Sequence, residues 1–223
     1  MGRKILLFVS TMIIRFLTCT EVLGGLEHIP KEGAAIIVVN HLGRLEVPLI
    51  FTLAKREDLT GWVADKYRKI PLMPLIIHWL DAIWLDREGS DISALKHAQA
   101  YLQEGHMLGI APEGTRSPTG ALIEGKKGVA YLAAKTGVPI IPGAVTGTEK
   151  MNREWLRMRR PSLTVRFGAP FTLPEMKRNS RDELLQQGTD EIMCRIAALL
   201  PSEYRGVYSN HPRLKALLAM DAN

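Results

Sequence analysis

The chain has 223 residues, 46% of them hydrophobic and 23% charged, which is enough to bury one sizeable core but short for two full domains. Its 29 basic and 23 acidic residues leave a net charge of +6, which favours anionic partners without choosing among lipid, nucleotide and nucleic acid. The two cysteines, Cys19 and Cys194, have no second thiol or histidine at metal-ligand spacing, so neither a disulfide framework nor a zinc site is indicated, and a reducing cytoplasm suits them.

The first element is a helix. Residues Ile5 to Leu17 are mostly apolar, while Lys4, Thr11, Arg15 and Thr18 recur at offsets that put them on one narrow stripe. The segment from Ile5 to Thr18 would be roughly 21 Å long. That is short of a hydrocarbon core of roughly 30 Å, and Arg15 lies inside the run. A membrane-spanning helix is not expected. A secretory signal is not expected either, because Arg15 interrupts the apolar run and no small-x-small cleavage site follows. Two placements remain, a helix lying in the membrane interface or one packed on the protein's own core, and composition favours the first. The expected organisation is therefore an interfacial helix over residues 1–23 and one globular domain over residues 24–223.

Beyond the punctuation of Pro30 and Gly33, Ala34 to Val39 is a short apolar run of the kind a buried strand needs. Further strands are expected at Gly61 to Ala64, Ala82 to Leu85, Met107 to Ala111, Val138 to Val145 and Leu163 to Phe167, separated by helical segments. Residues Leu72 to Leu80 read as plain core or as part of an apolar groove, with His78 a core histidine rather than a ligand. Lys127 to Thr136 reads as a helix closed by Gly137, and Arg181 to Leu200 as the last amphipathic helix, stopped by Pro201. This alternation predicts a single α/β domain, a mostly parallel or mixed sheet flanked by helices, with sites at the carboxyl ends of strands.

The first strand ends in Asn40-His41-Leu42-Gly43-Arg44-Leu45-Glu46. On one regular helix His41 and Glu46 would point about 140° apart and could not meet. Pro48 resolves this, because proline belongs in a first helical turn, so the helix should start near Leu45. His41 then sits in the strand-to-helix turn, and Glu46 can reach back to one imidazole nitrogen. Such a carboxylate fixes the tautomer and stabilises the imidazolium when the other nitrogen takes a substrate proton. A histidine merely bonded to backbone would satisfy the same spacing.

Three later turns can hold an anion. Asp86-Arg87 puts a guanidinium at a strand end. In Pro112-Glu113-Gly114-Thr115-Arg116-Ser117, Gly114 permits a tight turn that exposes backbone N–H groups beside Arg116. Gly125-Lys126-Lys127-Gly128 places two ammonium groups at a helix amino terminus. A surface salt bridge is the plainer reading of Arg87, and each turn alone is a weak signal.

Together these segments resemble the glycerophospholipid acyltransferase superfamily, in particular bacterial 1-acylglycerol-3-phosphate acyltransferases. The likeness runs from about Gly24 to Gly168 in four ordered blocks. His41, four residues and Glu46 match the His-x4-acid block. Ile83-Trp84-Leu85-Asp86-Arg87 resembles the second, and Pro112 to Ser117 is a near-complete copy of the third. Val138-Pro139-Ile140-Ile141-Pro142 resembles the fourth, which is chiefly structural. The resemblance implies that His41 is the general base with Glu46 behind it. Arg87, Glu113, Gly114, Thr115, Arg116 and Lys126 would then bind the acceptor's phosphate. It implies acyl-CoA or acyl-carrier protein as co-substrate, no metal or other cofactor, a membrane lipid acceptor and no nucleic acid. The implied location is the inner face of the cell membrane, with the protein cytoplasmic and peripherally attached. Glu46 departs from the usual aspartate, which keeps the chemistry and loosens the choice of lyso-lipid acceptor. Two rivals stay open: a lipid thioester hydrolase, with Ser117 as a candidate nucleophile though no Gly-x-Ser-x-Gly elbow presents it, and a non-catalytic binder of anionic lipid.

Overall fold

Ala35–Val39, strand β2, is buried at every residue, and its alternate side chains feed two separate cores. Ile36 and Val38 point into one, with Leu108, Ile110, Ile140 and Ala144 of neighbouring strands. Ala35, Ile37 and Val39 point into the other, with Met107, Ile141, Val145, Leu163 and Val165. A strand buried on both faces is the middle of a three-layer molecule. The computed structural model describes residues 1–86, 92–174 and 181–220.

Among the described residues, α1 (Gly2–Leu17) leads into β1 (Cys19–Gly24), and β2 is followed by α2 (Glu46–Ala54) and β3 (Leu59–Ala64). Then come α3 (Met73–Trp79), β4 (Ile83–Leu85), α4 (Ile92–Gln103), β5 (Met107–Ile110) and α5 (Gly128–Thr136). The chain continues through β6 (Ile140–Thr146), α6 (Met151–Leu156), β7 (Ser162–Phe167), α7 (Arg181–Leu199) and α8 (Pro212–Met220). The strands form one sheet in the order β1-β7-β6-β2-β5-β3-β4. Strands β2 to β6 run parallel, β7 is antiparallel to β6, and β1 is parallel to β7, so the two strands at one edge run against the other five. Helices α4, α5, α7 and α8 supply the core on one face, and α1 and α2 that on the other.

The expected strands all form, each within two residues at either end. Three expectations change. Residues 19–23, placed with the amino-terminal helix, are strand β1 of the sheet. The helix from Arg181 is not the last, since α8 follows and packs Leu214 and Leu217 into the same core. His78 is exposed, not a core residue, and Leu72 and Leu75 beside it are exposed too, because α3 buries only its Ile77.

Helix α1 runs along its face from the amino ends of the strands to their carboxyl ends. At its start Lys4 pairs with Glu57 and Arg3 bonds the carbonyls of Leu59 and Leu80, and at its end Cys19 N–H donates to Pro161 O, just before β7. Leu7 and Ile14 face the core. Ile5, Phe8, Val9, Met12, Ile13 and Phe16, on the opposite face, are exposed, Phe8 by 64% and Phe16 by 79%. Among the described residues no helix is long and apolar enough to cross a membrane.

Candidate active site

The order β5-β2-β6 puts three loops side by side at one end of the sheet, the carboxyl ends of three parallel strands. The loop after β2 carries His41, that after β5 carries Glu113 to Ser117, and that after β6 carries Thr148.

The first loop is tied at its root. Asn40 is fully buried and exchanges two hydrogen bonds with Val145 of β6, its Nδ2 donating to the carbonyl and its Oδ1 accepting from N–H, both 2.8 Å. His41 N–H then donates to Glu113 Oε1 at 2.7 Å, and Ser117 N–H donates to His41 O at 2.8 Å. The backbone of one histidine is thus clamped from both ends of a neighbouring turn.

Helix α2 begins at Glu46 with Pro48 in its first turn, the position where a missing N–H costs nothing. Glu46 is fully buried. Its Oε1 accepts from Leu42 N–H at 2.9 Å, from Gly43 N–H at 2.5 Å and from the Thr148 hydroxyl. Its Oε2 lies 3.8 Å from His41 Nδ1, and both atoms are buried with no hydrogen-bond partner. The gap is longer than a hydrogen bond, as is common for such pairs before substrate enters. Burial pushes the Glu46 carboxyl up, but the imidazole of His41, the Thr148 hydroxyl and backbone amides outweigh it and hold the group below the usual carboxylate range. An ionised carboxylate facing Nδ1 leaves Nε2 as the imidazole atom for a substrate proton.

Glu113 departs from the expected set. It is fully buried, and its oxygens accept N–H groups from His41 and, at 3.0 Å, from Ile123. Burial pushes its carboxyl up against the pull of those amides. A carboxylate so placed holds the histidine loop and has no face for a phosphate, which it would repel in any case. Gly114, Thr115 and Arg116 lie between the two tie points to His41, with Thr115 and Arg116 exposed. Gly114 has φ 69°, and a side chain there would press on the Lys126 stem at 3.3 Å, so Lys126, also exposed, flanks the same turn. Lys126 N–H donates to Pro112 O at 2.8 Å. Lys127, the second ammonium of that stretch, is taken by Asp182 at 2.9 Å. Arg87 lies outside the described residues. Ser117 Oγ is committed to Ala121 O at 2.5 Å, which removes it as a ready nucleophile.

The Acyltransferase family model matches residues 22–146, the stretch that holds the loops after β2 and β5 and stops at the last residue of β6, just short of Thr148. The chain belongs to the acyltransferase family. It is 31% identical over 126 residues to a 1-acyl-sn-glycerol-3-phosphate acyltransferase of Borreliella burgdorferi, covering 56% of this chain and 50% of that protein. To a coconut (Cocos nucifera) enzyme of the same name it is 33% identical over 142 residues, 61% of this chain and 46% of the other. The chain thus spans about half the length of these curated relatives. The crystal structure of the 1-acyl-sn-glycerophosphate acyltransferase PlsC from Thermotoga maritima shares its fold, with TM-score 0.64 and 26% identity over 85% of this chain and 79% of that one.

One residue of this acyltransferase fold escaped the sequence reading. Thr148 is buried beyond the end of β6 and gives its hydroxyl to Glu46. Gly43 lets it approach, since a Cβ at 43 would sit 2.8–2.9 Å from Thr148 atoms. The signal available was its place, two residues past the strand formed by the fourth block.

Proposed function

We propose that this chain transfers a fatty acyl group from a thioester, of CoA or of acyl-carrier protein, to the free hydroxyl of 1-acylglycerol-3-phosphate or a closely related lyso-lipid. The observation that carries this is the pair of buried, partnerless atoms, His41 Nδ1 and Glu46 Oε2, aimed at each other behind a loop flanked by Arg116 and Lys126. His41 Nε2 takes the acceptor's hydroxyl proton as the oxygen attacks the thioester carbonyl. The tetrahedral intermediate collapses, the C–S bond breaks, and the imidazolium returns the proton to the departing thiolate. Glu46 holds the imidazole and balances its charge between those steps. Gly114, Thr115, Arg116 and Lys126 bind the acceptor's phosphate and hold its hydroxyl in register, which supplies much of the rate. The names of the relatives support the acceptor class, and Glu46 keeps other lyso-lipids in view. The exposed apolar face of α1 supports peripheral attachment to a membrane, on its cytoplasmic side.

The test is to incubate the purified protein with a panel of lyso-lipid acceptors and both thioester types and to identify products by mass. His41→Ala should abolish transfer while circular dichroism stays unchanged. Normal turnover by that folded variant would sink the mechanism, and free fatty acid released without acceptor would point to a hydrolase.

A further inference from the structure

The end of α1 is capped by a distant turn. Trp155 Nε1 donates to Leu17 O at 3.2 Å, and Arg160 Nη2 donates to Arg15 O at 2.6 Å and to Thr18 O. These are carbonyls that a helix end leaves without intrahelical partners. Between the two capping side chains, Leu156 is 86% exposed and Met158 95% exposed. Met158 has φ 56°, and the closing bonds, Met158 N–H to Trp155 O and Arg159 N–H to Glu154 O, make it the left-handed cap of α6. Glycine is the residue that turn favours. A methionine there accepts backbone strain to display a side chain with almost nothing in the protein to pack on. Beside it in the chain stand the exposed arginines Arg153, Arg157 and Arg159, with Glu154 the one acid of residues 151–160, 3.2 Å from Arg153 and 3.8 Å from Arg157.

We propose that residues 155–160 are a second bilayer-docking element, which seats Leu156 and Met158 in an anionic phospholipid surface while Arg157 and Arg159 meet its headgroups. The occupant follows from the chemistry: exposed apolar tips ringed by cations match a sheet of anionic headgroups over hydrocarbon. The inference rests on the membrane attachment proposed for α1, and it adds orientation. Because β7 and β1 run against the other strands, this turn and the end of α1 both lie at the carboxyl ends of β2, β5 and β6, the end that carries His41. The stripe on α1 leaves open which end of the helix sits deeper, and a second contact at one end sets that end, with the site, toward the lipid.

The experiment measures co-sedimentation of the full chain with phosphatidylcholine vesicles and with mixed phosphatidylcholine–phosphatidylglycerol vesicles. Wild type should bind the mixed vesicles more tightly, and Arg157→Gln with Arg159→Gln should lose most of that preference. Met158→Gly should raise the thermal midpoint, because the strain goes, yet weaken partition. With Leu156→Ser added, partition should fall about tenfold. A purely structural turn would show the first change without the others. If wild type binds and the double variant binds equally well, the docking turn is overturned and α1 alone remains as the attachment. If wild type binds no vesicle, the attachment of α1 falls with it, and equal binding to both vesicle types overturns the anionic partner.

Discussion

Thr148 shows how one hydroxyl decides what a buried carboxylate does. With its hydroxyl and two backbone N–H groups on Oε1 of Glu46, only Oε2 is left for His41. Thr148→Ala should therefore lower kcat about tenfold with little change in KM, and Thr148→Ser should recover most of the loss, as steady-state kinetics will show. The same bond is linked to stability. Glu46 is held below its ordinary range, so its contribution is complete above the unfolded-state value and is lost as pH falls through the folded one. Removing the hydroxyl brings the folded value back toward the unfolded one. The gap in urea midpoint between wild type and Thr148→Ala should be widest above roughly pH 5 and narrow toward roughly pH 3. Glu113 acts with the opposite sign, because burial raises its carboxyl, and its ionised form costs stability that is regained as pH falls.

At the scale of elements, the loop after β2 and the loop after β6 are in contact because position 43 has no side chain. Gly43→Ala should force them apart, destabilising the protein by about 1–3 kcal/mol and costing more activity than Thr148→Ala, measurable by denaturant melts and initial rates. Elements with buried, regular patterns were legible in the sequence. Strand β2 is an unbroken apolar run because both its faces are covered, and α5 ends at Gly137, whose φ of 67° is the conformation that residue predicts. Strand β1 was not legible: it lies at the sheet edge, is exposed along most of its length and has no alternation to detect. The apolar run around His78 was no guide either, since α3 turns only Ile77 inward. In the site, the His41–Glu46 pairing was readable from Pro48, a local rule. The partners Asn40–Val145, His41–Glu113 and Thr148–Glu46 are separated by 105, 72 and 102 positions and appear only once β5, β2 and β6 lie side by side.

For the whole molecule, the reversal of two strands at one edge governs where the apolar surface lies. Helix α1 carries its exposed stripe along one face of the sheet, and the 155–160 turn ends that stripe at the end of the sheet where the loops of His41, Glu113 and Thr148 meet. Docked as proposed, the protein would meet a lipid acceptor in two dimensions. Turnover should follow the mole fraction of lyso-lipid in the surface rather than its bulk concentration, so adding inert detergent at constant total acceptor should slow the reaction. A rate indifferent to such dilution would mean that the acceptor is captured from water. Residence on the surface would also make the enzyme processive, completing several transfers per landing, with acyl donor arriving from solution and product left in the leaflet from which its precursor came.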